Sequence, residues 1–297
     1  MARKLRPGQT AELYVVDVTT GERRLVYSSD SLLFEAPNWV GDRLIVNGDG
    51  SLFHINVTGG ELTKIELLGV PELNNDHVVS PDGSTVYVSA EDGHLYAVPI
   101  AGGPGRRISN DHGVHHYLHG VSPDGSQLAY IGLETKDGRR ITNVYTVPAD
   151  GGPDVQVTDD EFADDGAEYG PDGEWIYFNS ERAATVPGHA QLFRIRGEQT
   201  EQLTFDERVN WFPHPAGSMV AYVSFPPGTL GHPADVDDVR IRLLEPDGQI
   251  RELARVFGGQ GTMNVPSWSP DGTSLAYVAY PMSAVVGKEG TGHDHRE

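Results

Sequence analysis

The stretch VPSWSPDGTSLAYVAY (265–280) decides the fold. Its Pro-Asp-Gly segment is typical of a turn, because proline presets φ, aspartate hydrogen-bonds locally and glycine accepts positive φ. The alternating run that follows predicts a β-strand. Related segments recur as NWVGDR (38–43), VVSPDG (78–83), GVSPDG (120–125), EYGPDG (168–173) and FPHPAG (212–217). Equivalent turn positions fall at 42, 82, 124, 172, 216 and 271, so the intervals of 40, 42, 48, 44 and 55 residues are close to the length of a propeller blade.

Each turn is followed by further strands, for example HLYAVPI (94–100), and then by a glycine-rich hairpin. Four strands per unit and six units predict an all-β fold, a six-bladed β-propeller of four-stranded antiparallel blades. The chain opens with two strands in AELYVVDVTTGERRLVY (11–27), so we expect both termini to close the last blade, formed by 11–27 plus 264–280. One domain is predicted over 1–281, and 282–297 is predicted to be a disordered tail.

Composition restricts the partners that we expect. The chain has 22 Lys and Arg against 43 Asp and Glu, a formal charge of −21, which disfavours nucleic acid and anionic membrane surfaces. It has no cysteine, and no apolar run reaches the roughly 18 residues of a membrane span. The start, MARKLRPGQT, lacks the apolar segment of a secretory signal, so we expect a cytoplasmic protein. Walker and Rossmann patterns are absent from the sequence, and no nucleotide cofactor is expected.

The first strand of each blade should line the central channel. Alignment of the blades on the Trp position of the repeat gives two columns that we expect to face the channel, since strand side chains alternate. The first column contains Glu35, Asn75, Tyr117, Asp165, Val209 and Asn264. The second contains Pro37, His77, His119, Ala167, Trp211 and Pro266.

Polar, aromatic and titratable side chains in one channel predict a ligand site. Candidates for proton transfer are His77, His119, Glu35, Tyr117 and Asp165. Candidates for ligand binding are Asn75, Asp76, His116, Asn210, Trp211 and Asn264. Histidines that only hydrogen-bond a neighbouring blade are the alternative for His77 and His119.

Four histidines lie in NDHGVHHYLHGVSPDG (110–125). His119 falls in a channel column, His115 and His116 are candidates for the rim, and His112 is interpreted as an exposed loop residue. Arg208 is the only basic side chain in the aligned neighbourhood. The insertion FPPGTLGHPADVDD (225–238) explains the longest interval, and the sequence leaves open whether it is a lid.

The W-S-P-D-G turns and the strands after them resemble the WD40-like (PD40) repeat of the TolB and tricorn type, over residues 11–280. The segments NNDHVVSPDG, YLHGVSPDG, NWFPHPAG and GGQGTMNVPSWSPDG resemble a group of cytoplasmic TolB-like proteins and, more distantly, the oligogalacturonate lyases. Those lyases hold a divalent metal through histidines and a glutamine. The resemblance therefore implies a Mn, Ca or Zn ion, with Gln260, His77 and His119 as its candidate ligands.

Two functions remain open from the sequence. The first is an enzyme of the lyase or hydrolase type that acts on a carbohydrate-like small molecule or oligosaccharide in the channel. The second is a non-catalytic scaffold that binds a protein partner, as the TolB resemblance implies. Propellers support both roles, so the fold does not decide between them.

Overall fold

The structure, a computed structural model, describes residues 3–283. It confirms an all-β propeller of six blades, arranged as successive antiparallel sheets around a channel. The predicted tail (282–297) lies outside the described residues except for its first two. Within 3–283, no helix is long and apolar enough to cross a membrane.

Blades 1 to 3 follow the two strands that open the chain. The opening strands are β1 (Ala11–Asp17) and β2 (Arg23–Ser29). Blade 1 contains β3 (Phe34–Val40), β4 (Arg43–Gly48), β5 (Ser51–Asn56) and β6 (Thr63–Ile65), followed by the short β7 (Leu67–Leu68). Blade 2 contains β8 (Leu73–Val79), β9 (Thr85–Ala90), β10 (Leu95–Pro99) and β12 (Arg106–Arg107), while β11 (Gly103–Pro104) pairs with β7. Blade 3 contains β13 (His115–Val121), β14 (Gln127–Lys136), β15 (Arg139–Pro148) and β16 (Val155–Gln156).

Blades 4 to 6 complete the ring. Blade 4 contains β17 (Asp164–Tyr169), β18 (Ile176–Ser180), β19 (Gln191–Arg196) and β20 (Gln199–Gln202). Blade 5 contains β21 (Val209–Ala216), β22 (Met219–Phe225), β23 (Val236–Leu244) and β24 (Ile250–Gly258), and a 3-10 turn follows at Gln260–Thr262. In blade 6, β25 (Ser274–Ala279) pairs with β1, as predicted for a ring closed by both termini. Its innermost strand is reduced to a bridge between Trp268 and Leu275.

The Pro-Asp-Gly turns form because their side chains satisfy the turn backbone. At the turn of blade 2, Asp82 accepts hydrogen bonds from the Ser80 hydroxyl (2.6 Å) and the Ser84 amide (2.9 Å). Gly83 adopts φ 70°, which other residues rarely do. These hydrogen bonds lower the pKa of Asp82 to about 2, so the carboxylate supports the turn and is not a proton donor.

Apolar side chains of the middle strands pack between adjacent blades and form the core. Between blades 2 and 3, for example, Tyr87 and Leu95 pack with Leu128 and Tyr145. Burial of apolar surface of this kind contributes about 25 cal/mol per Å². The core therefore lies in the blade interfaces and leaves the channel to polar side chains.

The innermost strands of blades 1 to 5 each carry a β-bulge near the channel. In blade 5, Trp211 pairs with Val223 and His214 with Ala221, so one extra residue is inserted between them. A bulge adds an unpaired residue and redirects the side chains around it. These bulges recur in blades 1 to 5 and determine which side chains reach the channel.

Candidate functional site

A cavity of about 200 Å³ opens at one mouth of the channel. It is lined by Asp76, Tyr117, His119, Ile131, Arg140, Thr142, Asp165, Phe212, His232 and Gln260. Three of these residues, Asp76, His119 and Phe212, lie within the bulges of blades 2, 3 and 5. The bulges therefore build the cavity by turning side chains out of the regular ladder.

Asp165 lies between two imidazoles. Its Oδ1 is 2.9 Å from His119 Nε2, and its Oδ2 is 3.4 Å from His232 Nε2. The amide of Gly166 donates to Oδ1 at 2.8 Å. Oδ1 is thus held by His119 and by the backbone, while Oδ2 faces His232.

His119 is a buried cation at neutral pH. Its Nδ1 lies 3.2 Å from the Asn264 carbonyl oxygen and its Nε2 faces Asp165, so each ring nitrogen meets an acceptor and carries a proton. Burial alone would lower the pKa of His119, but the hydrogen bond to Asp165 and the charges of Asp76 and Asp165 raise it to about 9. Burial likewise works against ionisation of Asp165, yet His119 holds the pKa of that carboxyl below its usual value.

Asp76 is the second carboxylate of the cavity. It accepts hydrogen bonds from the side-chain amides of Asn264 (2.9 Å) and Asn74 (3.0 Å). Burial raises its pKa to about 6, against the lowering influence of His119. Asp76 therefore changes charge closer to neutral pH than an exposed aspartate does, while Asp165 stays ionised.

Aromatic rings close one side of the cavity. Phe212 adopts φ 55°, an uncommon conformation for a bulky residue. Its ring stacks on His119 with centroids 5.8 Å apart. The ring of His232 packs against the rings of Trp211 and Phe212, with centroids 4.7 Å and 5.5 Å apart. Strained backbone at a cavity wall is often functional, and here it places an apolar surface beside the ion pair.

Three lining residues come from segments outside the repeat. Arg140 and Thr142 reach the cavity from the long hairpin of β14 and β15, whose ten-residue strands extend past the other blades. His232 comes from the insertion 225–238. The column alignment could not find them; the Lys-Asp-Gly turn of the hairpin and the histidine within the insertion were the available signals.

The insertion covers this mouth of the channel. The Pro233 carbonyl accepts a hydrogen bond from the Gln260 amide at 3.3 Å. Asp235 forms ion pairs with Arg3 (2.7 Å) and Arg6 (2.8 Å) of the N-terminal segment. These contacts fix the part of the insertion that directly follows His232.

The predicted site residues separate into three groups. Asp76, Tyr117, His119, Asp165 and Gln260 line the cavity. Asn264 and Trp211 lie directly behind the lining. Asn264 donates a hydrogen bond to Asp76, and Trp211 packs on His232. His77, His116, Asn75, Asn210 and Glu35 lie outside the lining.

His77 and Asn210 are held within the blades. His77 is buried, its Nδ1 lies 3.3 Å from the Asn75 carbonyl, and burial lowers its pKa to about 4. Asn210 accepts from the Ser224 hydroxyl (2.8 Å) and donates to Gln191 (3.2 Å). Both residues therefore lie in the blade interior and do not line the cavity. Asn75 contributes its backbone carbonyl, which lies next to His77.

Glu35 belongs to a neighbouring cluster at the same end of the channel. Burial raises its pKa to about 7, opposed by Arg3, whose Nη1 lies 3.5 Å from the carboxylate. The Arg3 guanidinium also lies 4.2 Å above the ring of Tyr280. Arg3 thus occupies the space in front of Glu35 that a ligand would need.

The alignment of blade 5 requires a correction. Ala216 pairs directly with Met219, so this turn is shorter than the turn of blade 2, and the columns slip by two residues. Trp211, not Val209, therefore occupies the ladder position of Asp165. Arg208, the predicted basic residue of this neighbourhood, is bonded to Asp238 and Ser224, and Arg140 supplies the cation of the cavity instead.

The candidate metal ligands do not fit a metal ion in this cavity. His77 is absent from the lining, so His119 and Gln260 lie there without it. Both ring nitrogens of His119 face protein acceptors, the Asn264 carbonyl and Asp165, so neither is free for a metal in this arrangement. The cavity is instead suited to acid–base chemistry and to charged hydrogen bonds.

These features define a class of protein, a six-bladed propeller with a carboxylate–imidazole cavity at its channel mouth. The chain is 37% identical over 282 residues to an uncharacterized protein of Agrobacterium fabrum, and the match covers 91% of this chain and 92% of that relative. A solved structure from Agrobacterium tumefaciens assigned as a TolB superposes with a TM-score of 0.84 at 36% identity, over 93% of this chain and 99% of that one. The chain therefore belongs to this family of TolB-like propellers.

A more distant similarity concerns the fold alone. An oligogalacturonate lyase of Vibrio parahaemolyticus superposes with a TM-score of 0.55 at 16% identity, over 84% of this chain and 73% of the lyase. No protein-family model matches the chain.

Proposed function

We propose that the cavity binds a small sugar acid and that His232, oriented by Asp165, transfers a proton on it. The observation that carries the proposal is the position of Asp165 between His119 and His232, in a cavity that also holds Arg140. Titratable groups that converge in one cavity are the usual basis of acid–base catalysis.

The size and walls of the cavity support a small ligand. Its volume of about 200 Å³ lies below the roughly 300–1,000 Å³ of pockets for drug-sized molecules. Tyr117, Ile131 and Phe212 offer apolar surface to one side of a ring, while Asp76 and Gln260 offer hydrogen bonds to hydroxyl groups.

Charge supports an acidic ligand. At neutral pH the His119 imidazolium and the Asp165 carboxylate neutralise each other, and Asp76, whose pKa is raised to about 6, adds a negative charge that it loses on taking up a proton. Arg140 then supplies a guanidinium, which matches a carboxylate in a bidentate geometry. The chain as a whole carries a formal charge of −21, so an anionic ligand needs such a local cation.

His232 is the proton acceptor that we infer from its contact with Asp165. Its Nε2 faces Asp165 Oδ2, which can only accept while ionised, so the neutral ring carries its proton on Nε2. Nδ1 is then left with its lone pair, and it is buried without a hydrogen-bond partner. Access of a substrate to Nδ1 requires a small displacement of the insertion 225–238, which we propose acts as a lid.

A lyase-type elimination fits these groups. His232 would remove the proton from the carbon next to the ligand carboxylate, and Arg140 would stabilise the negative charge that develops on that carboxylate. The electron pair would form a carbon–carbon double bond as the neighbouring carbon–oxygen bond breaks. Tyr117, at the cavity wall, is the residue in place to protonate the leaving oxygen.

Calorimetric titration with galacturonate and with galactose tests the binding step. We expect the sugar acid to bind more tightly than the neutral sugar, and Arg140→Met to remove most of that preference. Arg139→Met is the matched control, because Arg139 is an exposed neighbour that does not line the cavity. Equal affinity for both sugars, or equal loss in both variants, would refute the proposal.

The proton-transfer step has its own measurement. Unsaturated product formed from short oligogalacturonates is followed by ultraviolet absorbance in the wild type and in His232→Gln. We expect a loss of about 10²–10⁴-fold in kcat with little change in ligand affinity, as for the removal of a general base. Binding without turnover in the wild type would retain the sugar-acid site and reject the catalytic role.

A further inference from the structure

A second group of polar side chains lies away from the cavity, at the junction of blades 2 and 3. Potential ligand atoms of His112, His116 and Asp154 all lie within 4.8 Å of one another. His112 is in the connection between the blades, His116 is in β13, and Asp154 is in the turn that precedes β16. Two of these residues belong to the histidine-rich stretch 110–125.

His116 is arranged as a metal ligand. It is 1% exposed, and its Nδ1 lies 2.7 Å from the Gly93 carbonyl oxygen, which can only accept a hydrogen bond. The neutral ring must therefore carry its proton on Nδ1 and keep the lone pair on Nε2. Nε2 is buried without any hydrogen-bond partner. A histidine that donates its other N–H to a backbone carbonyl is the usual arrangement of a metal-bound imidazole.

The Gly93 carbonyl, which takes up the Nδ1 proton, leaves the Nε2 lone pair of His116 directed into the cluster. A buried imidazole nitrogen with no partner is costly in a folded protein, and a bound cation would remove that cost.

Asp154 is positioned by its neighbours. Its Oδ1 accepts a hydrogen bond from the Tyr130 hydroxyl at 2.8 Å, and its Oδ2 accepts one from the Asn110 amide. The same Oδ2 lies 3.1 Å from His112 Nε2. Supporting hydrogen bonds of this kind orient carboxylate ligands around metals.

The third ligand faces solvent. His112 is one-third exposed and borders a groove of about 490 Å³, lined also by Glu134, Tyr145 and Asp154. A metal held by three protein side chains at the edge of such a groove would keep a position open for water or a ligand.

We propose that His112, His116 and Asp154 form a binding site for one divalent transition metal of the Zn²⁺ type. Two imidazoles and one carboxylate favour Zn²⁺ over Ca²⁺ and Mg²⁺, which prefer oxygen ligands alone. The site is distinct from the set His77, His119 and Gln260, and it does not depend on the proposed function of the channel cavity.

The test is a calorimetric titration of tag-free, metal-stripped full-length protein with Zn²⁺ and separately with Ca²⁺. The protein carries His293→Ala and His295→Ala, so that these two C-terminal histidines cannot contribute. We expect one Zn²⁺ per chain, much weaker binding of Ca²⁺, and an increase in Tm with Zn²⁺.

Two variants identify the ligands. His112→Ala removes an exposed side chain and should weaken Zn²⁺ binding at least about 10-fold. His115→Ala is the matched control, since His115 is an exposed histidine of the same segment outside the cluster, and binding should be unchanged. Visible absorbance of the Co²⁺-loaded protein provides a second readout and should also be lost in His112→Ala.

Three results would overturn the proposal. They are the absence of Zn²⁺ binding, binding that persists undiminished in His112→Ala, and an equal loss in His115→Ala.

Discussion

Raising the pH should lower the free energy of unfolding, because His119 loses its proton. The pKa of this imidazole is raised to about 9 in the folded state, against an ordinary value of 6.5 in the unfolded chain. A group of this kind stabilises the fold fully below the unfolded pKa, and the stabilisation is lost as the pH rises through the folded pKa. The relevant window therefore runs from above about pH 6.5 to about pH 9.

The magnitude follows from those two pKa values. Linkage gives a loss of about 1.5 kcal/mol in the free energy of unfolding between about pH 7.5 and about pH 9. Glu35, with a pKa of about 7, and Asp76, with a pKa of about 6, complete most of their titration below about pH 7.5, the lower pH of the comparison. Tyrosines of the unfolded chain begin to ionise near the upper pH, and they do so equally in a variant that retains them.

The assay is urea unfolding at both pH values for the wild type and for His119→Gln. The wild type should lose about 1.5 kcal/mol more than the variant, whatever the variant's own stability. Asp165→Asn should flatten the curve in the same way, because Asp165 is the partner that raises the pKa of His119. Parallel pH profiles for wild type and both variants would show that His119 is not a buried cation.

Two further predictions concern the packing at a bulge and the loss of stability at low pH. Gly166→Ala should lower the free energy of unfolding by about 2–4 kcal/mol, because Gly166 has φ 69° and an added Cβ would lie 3.0 Å from the Phe212 Cα. Gly138→Ala, which has a similar φ but open space around it, should lower it by only about 1 kcal/mol. Urea unfolding of both variants measures the difference, and equal costs would contradict the packing argument. His77→Leu should remove a loss of about 2 kcal/mol between about pH 7.5 and about pH 4.5. The pKa of His77 is lowered to about 4 in the fold, so over this range acid protonates the ring mainly in the unfolded chain and thereby favours unfolding. Unfolding curves that shift equally with acid in wild type and variant would refute this.

The fold was predictable because its signals are local and repeated. Each Pro-Asp-Gly turn carries its own hydrogen bonds, as at Asp82, and each is followed by an alternating strand. Closure of the ring by both termini followed from counting strands at the two ends of the sequence. Blade 5 was misaligned by two residues because its turn, between Ala216 and Met219, is shorter.

The cavity was only partly predictable, because bulges reset the alternation of side chains. His77 and His119 occupy the same column, yet the larger bulge of blade 2 brings Asp76 into the cavity and leaves His77 in the blade. Arg140 and His232 lie in a hairpin extension and an insertion, so no repeat position could locate them. Contacts between distant segments place them, and a pattern of period two does not encode such contacts.

The ring can close only after the last strand has been synthesised. Glu12 of β1 pairs with Ala279 of β25, which is 267 positions later in the chain. At about 5–20 residues per second, the first strand leaves the ribosome roughly 13–50 s before its partner exists. Throughout that interval the edge of β1 has unpaired backbone groups, which are a risk for aggregation. The nascent propeller is therefore most prone to aggregation at its first strand until β25 has been synthesised.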